Sequence, residues 1–371
     1  MKPMSKEQTA IGPWLYFALL IIPAIAFGLL NMPYYAAKVM GANGYWAEII
    51  AAVFVLPGIA AIYLLARHFT GQTIIQQGNS ILGPFLGRIT GLIYLFGNLI
   101  ILTMITRDFV NMIGTFFLDR TPIYTVALVL LGFAAYAGSR GIETVSRLAA
   151  FVMIPALLVL LGLMVTGFQN IKWTHVLPIA SPNIGEYFKG GLAVVYIYYL
   201  IGTSAISIVF LKPLKTFPRL AGGALLFLAI FYAVYVLGSI GVFGHQYILR
   251  YSWPSVEFVH KIDFPYFLLE QAGLLLLIVL TALSIVGTGY FYYTTALGFA
   301  EISGFLDYKR WIWLLFPLKF IMIMLPRDVT QTKEVIDLIV RYGWIILFAY
   351  PILLWLVALL FGRRGQSSDA L

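Results

Sequence analysis

The sequence predicts an all-α integral membrane protein of ten transmembrane helices, and three observations carry that class. Of 371 residues, 61% are hydrophobic and 11% charged, against roughly 25% charged in an ordinary soluble domain. Apolar runs long enough to cross a bilayer, about 20 residues each, recur along the whole chain. The longest connections, 168–188 and 244–269, are too short to fold by themselves.

The first span covers 11–37 and contains Gly28, Asn31 and Pro33, a cluster that breaks a helix. Charges, Gly/Pro clusters and aromatic ends place the others near 45–66, 84–117, 122–138, 146–167, 189–211, 219–243, 270–298, 311–326 and 339–361. Trp14, Trp46, Trp311 and Trp313 sit at span ends as interface anchors. The polar start MKPMSKEQTA leads straight into a long span, which reads as a retained helix and not a removed signal. With the N-terminus inside, thirteen Lys/Arg fall on the inner side and nine on the outer. That bias predicts both termini cytoplasmic.

Ten spans divide into five and five, so the second half enters the bilayer from the opposite face. This is the arithmetic of a 5+5 inverted repeat within a single transmembrane domain, repeat one at about 11–167 and repeat two at about 189–361. The opening span of each half carries an interruption, Gly28 to Pro33 in one and Gly202-Thr203-Ser204 in the other. Irregular backbone at membrane depth is tolerated where it lines a cavity or is buried in protein. A plain kink or a close-packing glycine explains either interruption alone; the matched pair points to a central ligand site.

Thr281, Ser284, Thr288, Tyr292 and Thr295 recur at steps of three and four, so they share a helical face that is expected to point into the bundle. Tyr94 and Asn98 share a face of the third span. Such hydroxyls also bond back to their own helix. The expected substrate-binding set is Phe27, Gly28, Leu29, Leu30, Tyr94, Asn98, Tyr199, Gly202, Thr203, Ser204, Thr281, Ser284 and Thr288.

Glu48, Glu270 and Glu301 fall near span ends, leaving no acidic residue at mid-span. Arg107-Asp108 lies in the outer third of the third span, and Lys319 is a charge near mid-depth that a short span lets snorkel. The scarcity of interior carboxylates argues against proton pumping and leaves sodium coupling through groups such as Ser284 and Thr288 open. The chain lacks cysteine and has four scattered histidines and no nucleotide-binding loop. We therefore expect no catalytic residues, no metal, no cofactor and no enzyme activity. The net charge of +9 is read as basic loops on anionic lipid, with no nucleic acid partner.

RGIETVSRLA (140–149) places Arg140, Glu143 and Arg147 on one helical face. It resembles the "GIE…aR" signature of the spore germination permease family, the B subunits of GerA-type nutrient germinant receptors. LLNMPYYAAKVMGANGYW (29–46), TRDFVNMIGTFFLDRTP (106–122), WPSVEFVHKIDFPYFLLEQ (253–271) and GFAEISGFLDYKRWIWLLFP (298–317) are similar to that family in the same order, so the likeness spans the chain. The resemblance implies the amino acid–polyamine–organocation superfamily, with a leucine-transporter type fold and broken first and sixth helices. It also implies a place in the spore inner membrane beside an A-type subunit and a lipoprotein C-type subunit. The implied role is to bind a small nutrient, an amino acid in many members, and trigger germination. A secondary amino-acid transporter driven by an ion gradient is the alternative. YYLIGTSAIS (198–207) lacks the glutamate the family often carries there, and the eighth span lacks a frequent tryptophan.

Overall fold

The computed structural model describes residues 10–181, 183–260, 272–304 and 307–362. The first helix, α1 (Pro13–Gly28), opens on a proline whose missing N–H costs nothing at that position. The helix stops for the three residues Leu29 to Asn31 and resumes as α2 (Met32–Met40), with Pro33 in its first turn. The axis turns by 69° between Pro13–Gly28 and Met32–Asn43. Two helices, α3 (Tyr45–Phe54) and α4 (Leu56–His68), together make one 24-residue span. A short α5 (Ile74–Leu82) follows, capped by the Thr73 hydroxyl.

Three long helices complete the first half: α6 (Pro84–Phe116), α7 (Ile123–Ser139) and α8 (Ile142–Gly167). Between α7 and α8 the chain reverses at Gly141, whose φ of +95° suits a residue without a Cβ. The expected span 189–211 is not one helix with one gap. It is α9 (Ile184–Val194), a 3₁₀ turn at Val195–Ile197, then two four-residue pieces, α10 (Tyr199–Gly202) and α11 (Ser204–Ser207).

Beyond these lie α12 (Phe217–Phe243), α13 (His245–Ile248), α14 (Pro254–His260), α15 (Ala272–Ser303) and α16 (Tyr308–Met324). The last expected span begins earlier than 339, as α17 (Val329–Trp344). It passes through a π-helical turn at Ile345–Ala349 and ends as α18 (Tyr350–Leu360). Pro351 has no N–H for an ordinary helical bond, and the widened turn before it accommodates that loss.

Among the described residues five helices are long and apolar enough to cross a membrane, and the bent α1–α2 pair makes a sixth. The shorter apolar helices Ile123–Ser139 and Tyr350–Leu360 fall where the fourth and tenth spans were expected. Large apolar side chains such as Phe151, Leu158 and Val165 of α8 lie exposed on the outside, the surface acyl chains cover in a multi-pass membrane protein.

Near the centre, α15 packs against α1, α6, α7, α8 and α16. Small residues set its approach to α7: a Cβ on Gly138 would lie 2.8 Å from the Gly289 carbonyl. Ile11 and Leu211 form an isolated parallel bridge, with Ile11 N donating to Phe210 O (2.8 Å) and Lys212 N to Ile11 O (3.1 Å). The start of the first interrupted helix is thereby fastened to the end of the second.

Candidate functional site: the hinge in the first helix

A sharp turn inside a membrane bundle frees main-chain carbonyls, and each needs a donor. Ser255 of α14 shares its single hydroxyl proton between Leu29 O and, at 3.3 Å, Leu30 O. Tyr232 of α12 donates to Ala24 O (2.7 Å), one turn earlier. The same tyrosine hydroxyl lies 2.3 Å from where a Cβ on Gly28 would stand, and Ile197 lies 2.8 Å from it. Glycine is required there because the space belongs to these two side chains.

Asn31 closes the turn through charge. Its Nδ2 donates to Asp108 Oδ2 (2.6 Å), and Lys333 of α17 sits 3.1 Å from Asp108 Oδ1. Trp253 Nε1 donates to Asp108 Oδ1 (3.1 Å), and Lys333 donates to Asn31 Oδ1 and to Ser252 O (2.9 Å). Asp108 is 2% exposed. A buried carboxylate with a cation and two neutral donors is the arrangement in which burial is tolerated. Asp108 is thus a strut of the hinge, and its neighbour Arg107 points elsewhere, donating to Pro326 O (3.0 Å).

The other expected residues fall into three groups. Phe27 stacks on Phe291 of α15, with ring centroids 6.0 Å apart. Tyr94 reaches Gly202 O at 3.5 Å and Asn98 donates to Tyr94 O (2.8 Å), so both spend a polar group inside the protein. Thr203 and Ser204 are buried where α10 passes into α11. Tyr199 begins α10, and its side chain lies outside the described residues.

On α15, Ser284, Thr288, Tyr292 and Thr295 are buried and Thr281 half-buried, so the hydroxyl face does turn inward. Thr103, Thr106 and Thr294 bond back to their own helices, whereas the hydroxyls of Ser204, Ser284 and Thr288 make no hydrogen bond to the described residues. Lys319 does not snorkel. It is 1% exposed and its Nζ rests 4.0 Å from the Tyr292 ring centroid.

Above the hinge, two hollows open beside Tyr35. One of about 240 Å³ is lined by Tyr34, Arg250, Lys333 and Asp337 among others, and one of about 300 Å³ by Lys38, Lys189 and Arg341. Tyr35 donates to Asp337 (2.8 Å), and Lys38 pairs with the same carboxylate at 3.2 Å. Sequence reasoning missed Ser255, Tyr232, Asp108 and Lys333 as hinge residues. Each lies 77 to 302 positions from its partner, and spacing along a chain carries no signal at that range.

Known proteins resemble this chain in sequence and in fold. A family model described as "Spore germination protein" matches residues 10–332. Spore germination protein B2 of Bacillus subtilis (strain 168) is 20% identical over 351 residues, covering 92% of this chain and 94% of that protein. Spore germination protein A2 of the same organism is 23% identical, covering 96% and 98%. Among solved structures, MhsT in complex with L-phenylalanine superposes with a TM-score of 0.70 at 11% identity, covering 94% of this chain and 89% of that one. A Na⁺-coupled sialic acid symporter superposes with a TM-score of 0.64 at 10% identity, covering 92% and 79%. The fold is of the leucine-transporter type.

Proposed function

The chain belongs to the spore germination permease family, and from that premise we propose that it is the transporter-like membrane subunit of a spore germinant receptor, with its nutrient site at the α1–α2 hinge. The observation that carries this reading is the 69° break, held by side chains from four other elements rather than by its own helix. A hinge of this kind presents main-chain N–H groups at the start of α2 and carbonyls at the end of α1. Both ends of a zwitterion find partners there, and MhsT, which shares the fold, was solved with L-phenylalanine. An amino acid is therefore the class of nutrient we assign.

In this structure Tyr232 and Ile197 occupy the space at Gly28, so ligand entry requires them to withdraw. The nutrient then favours a second state and the change passes to partner subunits of the A and C types. The setting is the spore inner membrane, with both termini on the cytoplasmic side.

Thermal unfolding of the purified chain against a panel of L-amino acids tests the site. A bound nutrient at a hundred times its Kd adds about 2.7 kcal/mol of apparent stability, and Gly28→Val removes that gain while membrane insertion persists. If no amino acid shifts the transition, the site reading fails. Concentrative uptake by proteoliposomes holding this chain alone, under an ion gradient, overturns the sensing role in favour of transport.

A further inference from the structure

Asp108 and Glu48 are two buried carboxyls treated in opposite ways. Glu48, in the first turn of α3, is 0% exposed, and neither side-chain oxygen has a hydrogen-bond partner. The nearby Tyr198 hydroxyl is directed to Glu48's own main-chain carbonyl (2.9 Å). The ion pairs among the described residues join Lys38 to Asp337, Arg147 to Glu143 and Lys333 to Asp108, leaving Glu48 without a cation. Holding an ionised carboxylate in such a place, with neither cation nor donor, is costly.

The ionisable side chains near Glu48 are Tyr196, within the 3₁₀ turn, Tyr198, just after it, and Tyr232 on α12. On the other elements packed against α3, Lys189 of α9 is exposed, Glu186 of α9 bonds Ser181, and Lys38 of α2 bonds Asp337. Tyr198 connects Glu48 to the hinge, since its chain neighbour Ile197 stands 2.8 Å from where a Cβ on Gly28 would lie. Tyr196 has a buried hydroxyl with no hydrogen bond, and its ring meets that of Tyr35 edge-on at 5.5 Å. Tyr35 in turn borders both hollows and bonds Asp337. Tyr232 is the residue that fills the hinge at Gly28 and holds Ala24 O.

We propose that Glu48 is a proton-binding site, coupled through Tyr198, which bonds its main chain, and the adjoining Ile197, which packs on Gly28, to closure of the α1–α2 hinge. This holds whether the chain senses or transports. The closed hinge carries one proton on Glu48, and an open hinge that admits water to Glu48 releases it. Since the open state binds fewer protons, raising the pH favours opening, by up to about tenfold per pH unit while the two states differ by one proton.

The chain has no cysteine, so Ile197→Cys, at a residue 2% exposed against Gly28, is a single reporter of opening. Its labelling by a water-soluble maleimide, normalised at each pH to the unfolded chain, is expected to rise with pH. In Glu48→Gln, which imitates the neutral acid, the normalised rate stays low and flat, and Glu48→Asp restores the rise. A flat profile with Glu48 present, or the same rise in Glu48→Gln, overturns the proposal. An infrared spectrum of the native protein at neutral pH must also contain the C=O band of a protonated carboxyl that Glu48→Gln lacks. A native spectrum with no such band overturns it even if the variant fails to fold.

Discussion

The two interrupted helices solve the same problem differently. At the first break the axis turns by 69° and carbonyls at Leu29 and Leu30 leave the helix, so Ser255 must cross from α14 to satisfy them. At the second, the backbone divides into a 3₁₀ turn and two four-residue helical pieces, and Thr203 between the pieces keeps helical dihedrals of −64° and −16°. Short-range bonds persist there, from Tyr198 N to Val195 O (3.2 Å), Ile201 N to Tyr198 O (3.0 Å) and Ile206 N to Thr203 O (3.2 Å). A 3₁₀ turn satisfies its own amides, so the side-chain support of main chain seen here is the long contact from Tyr94 to Gly202 O (3.5 Å). Ser207 lies between Tyr16 (3.2 Å) and Tyr290 (2.7 Å). The sequence difference behind this is Pro33 after Asn31, which has no counterpart near Gly202. A proline forces a turn that distant groups must then support; Gly-Thr-Ser only divides the helix into short pieces that keep local bonds.

If the first break depends on remote support, removing that support has the largest effect anywhere in the bundle. Asp108→Asn leaves Lys333 charged beside neutral partners. Breaking a buried pair costs about 3–5 kcal/mol, and we expect the lower figure because the Lys333 side chain is 24% exposed. Thermal unfolding in detergent measures it, and Lys333→Met added to Asp108→Asn recovers part of the loss. A single variant as stable as the parent would remove the strut from the hinge.

Ser255→Ala is the next largest, since it strips the one donor that Leu29 O and Leu30 O share. A buried carbonyl left unsatisfied costs about 1–3 kcal/mol. Hydrogen exchange is expected to speed up in α2 and leave α9 to α11 unchanged; equal acceleration of both would erase the distinction between the breaks.

Much of this was legible from residues in isolation. Hydropathy finds the long spans, Asn31 and Pro33 announce the turn, and the step of three and four identifies the inward face of α15. What stayed hidden depends on depth or on a distant partner. Glu48 reads as a span end because it lies three residues into α3, yet the neighbouring α2, α9 and α12 enclose that end completely. Lys319 reads as a snorkelling lysine because a short helix lets its amine reach water, whereas Tyr292 offers a ring face nearer by. The pieces α9 to α11 merge in the sequence into one apolar run, because 3₁₀ and α segments share the same composition.

The smallest effect on stability is expected at the second break, and there it is the most informative. Ser204 is 0% exposed and its hydroxyl makes no hydrogen bond to the described residues. Removing a buried polar group that is already unsatisfied is nearly neutral or slightly stabilising, so Ser204→Ala should unfold within about 0.5 kcal/mol of the parent. Ser207→Ala, one turn later, strips a shared partner from Tyr16 and Tyr290 and serves as the destabilising control. If Ser204 keeps its hydroxyl for a ligand, the alanine variant loses nutrient-induced stabilisation while its ligand-free transition does not move. A variant that unfolds early without ligand would instead make Ser204 part of the packing, and the second break would then join the first in needing side chains to hold it.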